Sequence, residues 1–498
     1  MKRTGLVSCL VFAGAIVGGQ AAHAATPPAP VKAAPTVNAA PTVQVVQTSH
    51  DLSQALTPVG QLRFKTTQAS GIPVIHVADS VRYQRIVGVG GAMTDTSAWL
   101  LYTQLSGSAF RATMDRLFGS RGIHLGFIRL PMGASDFSAQ EFPYSYDDLN
   151  LLPGQSDPGL GHFTIGHDRP YILPALREAL KLNPAAQIVA TPWSPPWWMK
   201  SNLNSGNAGN AATLLPQFYG VLANYFVKFL RGYAKASVPV AAITPQNEPG
   251  NGTWYPGLNL PAPTEATFIA NYLKPALRSA GLKTQIFGFD YHWGYATPYV
   301  GTLLGSAAGS DLAGIAYHCY NGTPTVMSAI HRQAPNLQQW VTECTTQRFD
   351  TWFPSELEIA SLRNWASTVN TWNIALDPTG GPVQAPNTAC TGCTGLLTVD
   401  EQTHRVFYNN GYYQLGQLSK FLKPGAVRIY SNHFVQYSSA GPGPGLDDVA
   451  FRNPDGSEGL LAYNNTSAPT RFAVVWHNKS FSYTLPAGAT ATFTWKSK

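Results

Sequence analysis

The sequence has few charged residues, and its positive charges are not clustered. Only 12% of the 498 residues are Asp, Glu, Lys or Arg, and the formal net charge is +7. A nucleic-acid-binding protein concentrates its basic residues in one patch, so we expect no nucleic-acid partner. Aromatic residues are comparatively common, at 11%. Together these values favour an exported protein that faces carbohydrate over a cytosolic one.

Long hydrophobic runs are absent outside the N-terminus. There, Lys2 and Arg3 precede an apolar run over 6–17, and Ala22-His23-Ala24 has the small-x-small pattern of a cleavage site. The pattern predicts a signal peptide over residues 1–24 and a mature chain that begins at Ala25. The apolar run is too short to span a bilayer. We therefore expect secretion to an extracellular or periplasmic location, with no integral membrane segment.

Cysteine is also scarce, and one of the five, Cys9, leaves with the predicted signal peptide. In an exported protein the other four indicate disulfides more than a zinc site. Cys390 and Cys393 could close a small loop with each other, a spacing that would also fit zinc, and Cys319 and Cys344 are either partners or free. No His and Cys ligand spacing supports a zinc enzyme, so we expect no metal and no cofactor.

The rest of the chain divides by its hydrophobic pattern. Residues 25–47 have the Ala/Pro/Val/Thr composition of a linker, and residues 48–80 contain two short strands, at 62–65 and 72–75. Residues 81–422 alternate short β-rich runs with helical segments, which indicates parallel strands in a closed barrel. The strands are expected at 86–89, 126–130, 187–190, 238–244, 285–289, 312–317, 338–342 and 369–375, and the helices at 106–118, 170–182, 214–236, 265–280, 354–366 and 408–422. Residues 423–498 alternate without helices and predict an antiparallel β-domain, which the strands of 48–80 join.

Unusual polar and aromatic residues follow every predicted barrel strand, at the end where barrel enzymes place their active sites. Each has a structural explanation by itself, such as a helix cap or a packed aromatic ring. Two carboxylates argue against that explanation, because Glu248 in Asn247-Glu248-Pro249 and Glu343 in Thr342-Glu343 both end apolar runs, the fourth and seventh strands. A carboxylate pair across a barrel mouth is typical of enzymes that cleave glycosidic bonds. Aromatic faces such as Trp193 and Trp372 suit a pyranose ring, and Asn247 is placed to hydrogen-bond the 2-hydroxyl.

These motifs resemble glycoside hydrolase family 30, which includes lysosomal glucosylceramidase and bacterial and fungal β-glycanases. The resemblance extends from about Gly88 to Lys498. It rests on these stretches of the chain: Gly90–Asp95, Arg129–Ser138, Trp193–Pro196, Gln246–Pro249, Tyr317–Tyr320, Thr342-Glu343, Trp372–Leu376 with Gly380–Pro382, and Tyr412–Phe421. It implies an α/β fold, a (β/α)₈ TIM barrel with a side antiparallel β-sandwich domain built from both ends of the chain.

The resemblance also implies residue roles. Glu248 would be the acid/base and Glu343 the nucleophile, while Asp136, Trp193, Asn247 and Trp372 would contact the sugar. Three further residues would surround the nucleophile or line the cleft, namely Arg129, His318 and Tyr320. The chain departs from the family at Cys319, where Trp is usual, at Cys344 and in the Cys390–Cys393 loop, and these departures bear on the aglycone side of the site rather than on the chemistry.

We therefore expect a secreted, metal-independent, retaining β-glycosidase with a β-linked glycoside or glucan as its substrate. A β-glucosidase of glucosylceramidase type is the leading interpretation, and an endo-β-1,6-glucanase or related β-glycanase is the alternative. A non-catalytic glycan-binding protein is the alternative of another class, but such a protein need not keep both glutamates. The oligomeric state is left open.

Overall fold

The structure is a computed structural model that describes residues 41–66, 71–139, 143–148, 154–203, 212–251, 255–345, 352–384, 393–438 and 441–496. The predicted signal peptide and residues 25–40 of the predicted linker lie outside these ranges. The part of the linker that is described is not a linker, because Thr42–Thr48 forms a strand whose Val43 and Val45 are buried.

Three strands precede the barrel and eight strands form it. The first three are β1 (Thr42–Thr48), β2 (Thr57–Arg63) and β3 (Val74–Arg85). The barrel strands are β4 (Gly88–Ala92), β5 (Phe127–Met132), β6 (Gln187–Pro192), β7 (Ala242–Ile243), β8 (Gln285–His292), β9 (Gly314–His318), β10 (Gln338–Glu343) and β11 (Ala366–Thr371). All neighbours pair in parallel, and β11 pairs with β4 to close the barrel. The predicted closed barrel of eight parallel strands is confirmed.

Large side chains fill the barrel interior, and β4 has no room for a side chain at Gly90. Trp340 stacks on Phe287 with ring centroids 3.7 Å apart, and Phe127 meets Trp340 edge-on. A Cβ on Gly90 would lie 1.7 Å from the carbonyl oxygen of Phe127. Gly90 therefore lies too close to the backbone of the neighbouring strand β5 to carry a side chain.

Helices connect the strands on the outside of the barrel. They are α1 (Asp95–Thr103), α2 (Gly107–Phe118), α3 (Ile172–Leu182), α4 (Tyr219–Lys235), α5 (Ala262–Phe268), α6 (Lys274–Ser279), α7 (Ala296–Leu304), α8 (Thr325–Gln333), α9 (Pro354–Arg363) and α10 (Asn410–Ser419). A π-helical turn, Ile269–Leu273, joins α5 to α6, so this stretch matches the single helix predicted at 265–280. Thr94 and Ser106 cap α1 and α2 by accepting backbone N–H bonds, as their residue type favours.

A small sheet follows the last barrel strand, and the sequence pattern did not predict it. Its strands are β12 (Ala375–Leu376), β13 (Leu397–Asp400) and β14 (Arg405–Tyr408). The eighth strand was predicted over 369–375 but ends at Thr371, because the chain turns at Asn373, whose φ is +70°. The last helix was predicted from Tyr408, a residue that belongs to β14 instead.

The side domain is built from both ends of the described chain. Its C-terminal strands are β15 (Val427–Ser431), β18 (Leu446–Arg452), β19 (Ser457–Asn464), β20 (Thr470–Trp476), β21 (Lys479–Leu485) and β22 (Thr490–Lys496), with a short hairpin of β16 (Tyr437–Ser438) and β17 (Gly441–Pro442) beside them. The sheet order is β2-β1-β22-β19-β18-β15-β3-β20-β21. Pairing is antiparallel except between β3 and β20, which run parallel. An aromatic core that includes Phe64, Phe493 and Trp495 fills its interior.

Candidate active site

The two predicted catalytic glutamates lie at the carboxyl ends of their barrel strands. Glu343 is the last residue of β10, and Glu248 lies five residues after β7. Each is about 6% exposed. Nδ1 of His318 lies 2.9 Å from Oε1 of Glu248 and 3.7 Å from Oε1 of Glu343. A single imidazole nitrogen thus lies close to both carboxylates. The distance between the two Oε1 atoms can therefore not exceed the sum of these two contacts.

Glu343 receives hydrogen bonds on both of its oxygens. Arg129 donates to Oε2 from Nη1, and the Tyr320 hydroxyl donates to Oε1 at 2.8 Å. The Arg129 side chain is fully buried, whereas Tyr320 is 39% exposed. A carboxylate held by a guanidinium and a phenol is fixed in position.

Glu248 is surrounded by donors on its other side. Nε2 of His292 and Nδ1 of His318 each lie 2.9 Å from Oε1, and the Asn251 side chain donates to Oε2 at 2.5 Å. Burial favours the neutral acid, but the hydrogen bonds from His292 and His318 outweigh it and lower the pKa of Glu248 below its usual range. In the free site Glu248 is therefore an anion beside two imidazoles.

A network of buried charged side chains connects the two glutamates. Nη2 of Arg129 donates to Asp290 at 2.9 Å and to Asn247 at 2.7 Å, and Nε2 of His318 lies 3.2 Å from Asp290. Burial would raise the pKa of Asp290, but Arg129 and His318 outweigh it and lower that pKa. Burial likewise opposes the charged form of His318, yet Glu343, Asp290 and Glu248 raise its pKa to about 9.

Asp290 directly follows the predicted fifth strand, and the hydroxyls that orient it were missed by the sequence analysis. Thr342 donates to its Oδ1 at 2.6 Å and Thr244 to its Oδ2 at 2.9 Å. These bonds, with those from Arg129 and His318, satisfy a carboxylate that is otherwise too costly to bury. Asp290 thus fixes the orientation of both charged groups that contact the glutamates.

An aromatic wall forms one side of the site. Trp193 and Trp372 stack with ring centroids 5.2 Å apart, and the Arg129 guanidinium lies 4.6 Å from the Trp193 ring centroid. Asp136 is buried beside them, and within the described chain its Oδ1 has no hydrogen-bond partner. Burial, together with the charges of Glu343 and Glu248, raises the pKa of Asp136 well above its usual value. A buried carboxyl with one unpaired oxygen next to apolar rings is suited to accept hydrogen bonds from sugar hydroxyls or donate to them.

Asn247 completes the polar lining. Its Oδ1 accepts the bond from Arg129, which leaves the Nδ2 group as the donor that can face a ligand. The structure thus brings together all nine residues that the sequence singled out: Arg129, Asp136, Trp193, Asn247, Glu248, His318, Tyr320, Glu343 and Trp372.

Residues of this site adopt backbone conformations that are rare outside glycine. The φ angles of Glu248 and Asp290 are +43° and +52°, and that of Asn373 beside Trp372 is +70°. Each such residue costs on the order of 1–3 kcal/mol and persists only where its surroundings hold it. Strain at three of the strand ends therefore coincides with the polar network.

Sequence reasoning missed His292, whose imidazole touches Glu248. The predicted fifth strand ended at Phe289, but β8 continues to His292 after an irregular register between Phe289 and Tyr291. The sequence contains a signal that could have identified His292. The polar and aromatic run Asp290–Trp293 is longer than the end of one strand requires.

Cys319 and Cys344 form a disulfide with Cα atoms 5.3 Å apart. This settles the pairing that the sequence left open between partners and free thiols. The bond joins the residues that directly follow His318 and Glu343, so it ties the ends of β9 and β10 together at the site. Cys393 is also disulfide-bonded, while Cys390 lies outside the described residues.

Possible ligand atoms for a cation also meet here. One atom each from Glu248, His292 and His318 lie within 4.8 Å of one another. Hydrogen bonds among these same atoms already account for their positions. A cation is therefore not needed to explain why these atoms lie close together.

Two buried carboxylates that approach the same imidazole at a barrel mouth, flanked by an aromatic wall, define the class of protein as a glycoside hydrolase. The models of two domains match the chain: the glycosyl hydrolase family 30 TIM-barrel domain over residues 86–422 and the glycosyl hydrolase family 30 β-sandwich domain over residues 425–493. The chain belongs to glycoside hydrolase family 30.

Its relatives include enzymes of two kinds. It is 33% identical over 396 residues to an endo-1,6-β-D-glucanase of Aspergillus fumigatus, covering 76% of this chain and 78% of the relative. It is 28% identical over 443 residues to the lysosomal acid glucosylceramidase of Mus musculus, covering 83% and 82%. The solved structure of an endo-β1,6-glucanase superposes with a TM-score of 0.80 at 27% identity, over 92% of this chain and all of that one. Among the described residues no helix is long and apolar enough to cross a bilayer.

Proposed function

We propose that this protein is a secreted endo-β-1,6-glucanase that cleaves its substrate with retention of configuration. The observation that carries the proposal is its similarity to endo-1,6-β-D-glucanases of three fungi, at 32–33% identity. The glucosylceramidase relatives are less similar, at 26–30%. This ranking reverses the order expected from the sequence motifs, which placed glucosylceramidase first.

The separation of the two glutamates supports retention. Retaining enzymes hold their carboxyl groups about 5–5.5 Å apart, and inverting enzymes about 6.5–9.5 Å, because a water must fit between acid and sugar. The Oε1 atoms of Glu248 and Glu343 are separated by at most the sum of their 2.9 and 3.7 Å contacts to Nδ1 of His318, and that upper limit reaches only the lower edge of the inverting range. Glu343, fixed by Arg129 and Tyr320, would attack the anomeric carbon. Glu248 would protonate the leaving oxygen and then deprotonate the water that releases the sugar.

The proton for the leaving group has a source in the site. In the free site Glu248 is an anion and His318 is protonated, so one proton is shared across their 2.9 Å contact. A bound glucan displaces water and makes an ion pair less favourable than two neutral partners. The proton then moves from Nδ1 of His318 to Oε1 of Glu248, while Nε2–H of His318 continues to face Asp290.

An aromatic surface beyond the glutamates supports an endo mode of action. The Tyr295 ring stacks on Tyr291 and His292, with centroids 5.1 and 5.8 Å apart, and Tyr320 meets His292 edge-on. Tyr295 and Tyr320 are 46% and 39% exposed. This surface begins at His292, which contacts Glu248, and offers exposed rings on which further glucose units of the leaving group would stack.

The second candidate function is glucosylceramide hydrolysis, favoured by the glucosylceramidase relatives that cover most of the chain. The carboxylate chemistry is the same in both cases, and only the aglycone differs. The deciding experiment measures the mature protein on β-1,6-glucan, glucosylceramide, xylan and an aryl β-glucoside. We expect rapid release of oligosaccharides from β-1,6-glucan. Cleavage of glucosylceramide without β-1,6-glucan would reject the first proposal in favour of the second.

Variants of the two glutamates test the assigned roles. Glu343→Gln should lose turnover on every substrate while it unfolds at the wild-type temperature. Glu248→Ala should lose activity on glucan but still react with a dinitrophenyl β-glucoside, whose leaving group needs no acid. Added azide should restore its turnover and give the β-glycosyl azide. An α-glycosyl azide, or turnover by Glu343→Gln, would contradict the retaining mechanism.

Tyr295→Ala tests the endo mode of action. The variant should lose about 2- to 13-fold in kcat/KM on β-1,6-glucan, since a stacking contact contributes about 0.5–1.5 kcal/mol, and keep wild-type activity on the aryl glucoside. The control is Tyr102→Ala, which also removes an exposed tyrosine (40%) but on α1. An equal loss on both substrates would argue against an aglycone subsite at Tyr295.

Export is tested separately. Expression with the natural N-terminus should give protein in the medium or periplasm that begins at Ala25 by N-terminal sequencing. Intact Met1 on cell-retained protein would contradict secretion through this signal.

A further inference from the structure

Asp147 is a buried carboxylate without a partner. It lies in a turn after β5, is fully buried, and within the described chain neither of its carboxylate oxygens has a hydrogen bond. Its backbone, by contrast, is fixed at both ends: the amide donates to the Ser145 hydroxyl at 3.1 Å, and the carbonyl accepts from the Trp198 indole at 2.9 Å. The carboxylate is therefore held in place, although an unpaired buried charge is strongly unfavourable.

Two further metal-binding side chains face this carboxylate. A ligand atom from each of Asp147, Asp157 and His162 lies within 4.8 Å of the other two. Nδ1 of His162 is 3.0 Å from Oδ2 of Asp157, and the His162 side chain is 52% exposed, so the cluster opens to solvent on that side. One buried carboxylate, one carboxylate at the rim and one accessible imidazole thus converge on a single point.

No described residue forms an ion pair with Asp147. Among the described residues it has no ion pair within 4.0 Å, and the Lys228 amine nearby donates instead to the Leu160 carbonyl at 2.5 Å. The cluster carries two negative charges when His162 is neutral. Both the missing hydrogen bonds and the missing charge would be supplied by a divalent cation.

We propose that Asp147, Asp157 and His162 bind a divalent transition-metal ion of the Zn²⁺ type. Ligands about 2.0–2.2 Å from such an ion lie about 3–4 Å from one another in tetrahedral or octahedral geometry, which a cluster within 4.8 Å can reach by small side-chain rotations. The mixed carboxylate and imidazole set favours Zn²⁺ over Ca²⁺, which takes six to eight oxygen ligands. Water would complete the coordination on the open side.

The ion would stabilise the segment that follows β5 and take no part in the reaction. A hydrogen bond joins the two ends of the segment 146–164, because the Thr164 amide donates to the Tyr146 carbonyl at 2.8 Å. Asp147 follows Tyr146 directly, whereas Asp157 and His162 lie shortly before Thr164. The metal would therefore join the two ends of this segment. The adjacent Tyr144 carbonyl accepts from Ala134, two residues before Asp136 of the active site.

The test uses the full-length protein, first treated with EDTA and then titrated with ZnCl₂. We expect one Zn²⁺ per chain by elemental analysis. At a concentration about 100-fold above its Kd, the ion should raise the melting temperature by about 3 °C for a chain of this size. Asp147→Asn should lose this response, and in EDTA it should melt above the wild type because the uncompensated buried charge is gone.

His162→Gln serves as a second variant that changes an exposed side chain, and it should lose Zn²⁺ binding with an unchanged melting temperature in EDTA. The rival site is the cluster at Glu248, for which His292→Gln is the control. Zn²⁺ binding that persists in Asp147→Asn and disappears in His292→Gln would overturn the proposal, as would stabilisation by Ca²⁺ but not by Zn²⁺.

Discussion

Replacing Asp290 with Asn should move the pH range in which this enzyme works. Asp290 is fully buried, and its two oxygens contact Nη2 of Arg129 at 2.9 Å and Nε2 of His318 at 3.2 Å. Asn keeps the shape and one acceptor but removes the charge. Because Asp290 is one of the groups that raise the pKa of His318 to about 9, the variant should lower that pKa.

The magnitude follows from the single contact that is lost. A hydrogen bond to a charged partner contributes about 1.5–3 kcal/mol, and one pKa unit corresponds to about 1.4 kcal/mol. The pKa of His318 should therefore fall by about one to two units. The proposed mechanism requires the proton shared by His318 and Glu248, so activity is lost as pH rises through that pKa. The alkaline limb of the pH profile should shift downward from about pH 9 by the same amount.

The assay is kcat/KM on β-1,6-glucan from pH 4 to pH 11. The same series on a dinitrophenyl β-glucoside should show a weaker alkaline limb, because that leaving group departs without a proton. Asp168→Asn is the control, since Asp168 is equally buried and bonded to the Tyr146 and Tyr233 hydroxyls but lies outside the network. An unmoved limb in folded Asp290→Asn would remove His318 from the proton path.

Three further predictions concern stability and binding. Reduction of the Cys319–Cys344 bond, or Cys344→Ser, should lower the free energy of unfolding by about 3 kcal/mol. It should also lower kcat, because the bond fixes the residues next to His318 and Glu343. An unchanged kcat in the reduced enzyme would contradict this. Asp136→Asn should reduce kcat/KM about 10- to 100-fold through a lost sugar contact. Its melting temperature at pH 7 should rise, since a carboxyl whose folded pKa is raised destabilises the fold increasingly above its unfolded pKa; a lower melting temperature would refute the burial argument. Gly90→Ala should prevent folding because the added Cβ would meet the Phe127 carbonyl. The control is Gly301→Ala on α7, whose Cβ meets nothing within 4 Å, and this variant should fold normally. A soluble and active Gly90→Ala variant would show that the barrel interior can relax.

The barrel could be predicted from the sequence because its strands are buried on both faces and therefore read as short apolar runs. The polar residues at their ends were conspicuous for the same reason. The strand at Thr42–Thr48 was missed although Val43 and Val45 alternate with Gln44 and Val46, because the low-charge segment before it suggested a linker. The alternation of buried and exposed positions was the stronger signal.

The small sheet after the barrel and the role of His292 depend on tertiary contacts that local patterns do not contain. The strands β12 and β13 are two and four residues long, shorter than any periodicity can identify. His292 reaches Glu248 only because β8 is irregular around Asp290, whose φ is positive. The order of the two substrate classes depended on identity over most of the chain, which short motifs around the glutamates do not measure.

The pairing of β3 with β15 and β20 has a consequence for how the protein is made. Arg85 pairs with Val427, and the entire barrel lies between them in the sequence. At roughly 5–20 residues per second, a ribosome needs tens of seconds to produce that intervening chain. During that interval the backbone amides and carbonyls of β3 have no neighbouring strand to pair with. Conditions that lengthen the wait, such as slow translation or cold, should therefore promote aggregation through this segment before the barrel itself is at risk.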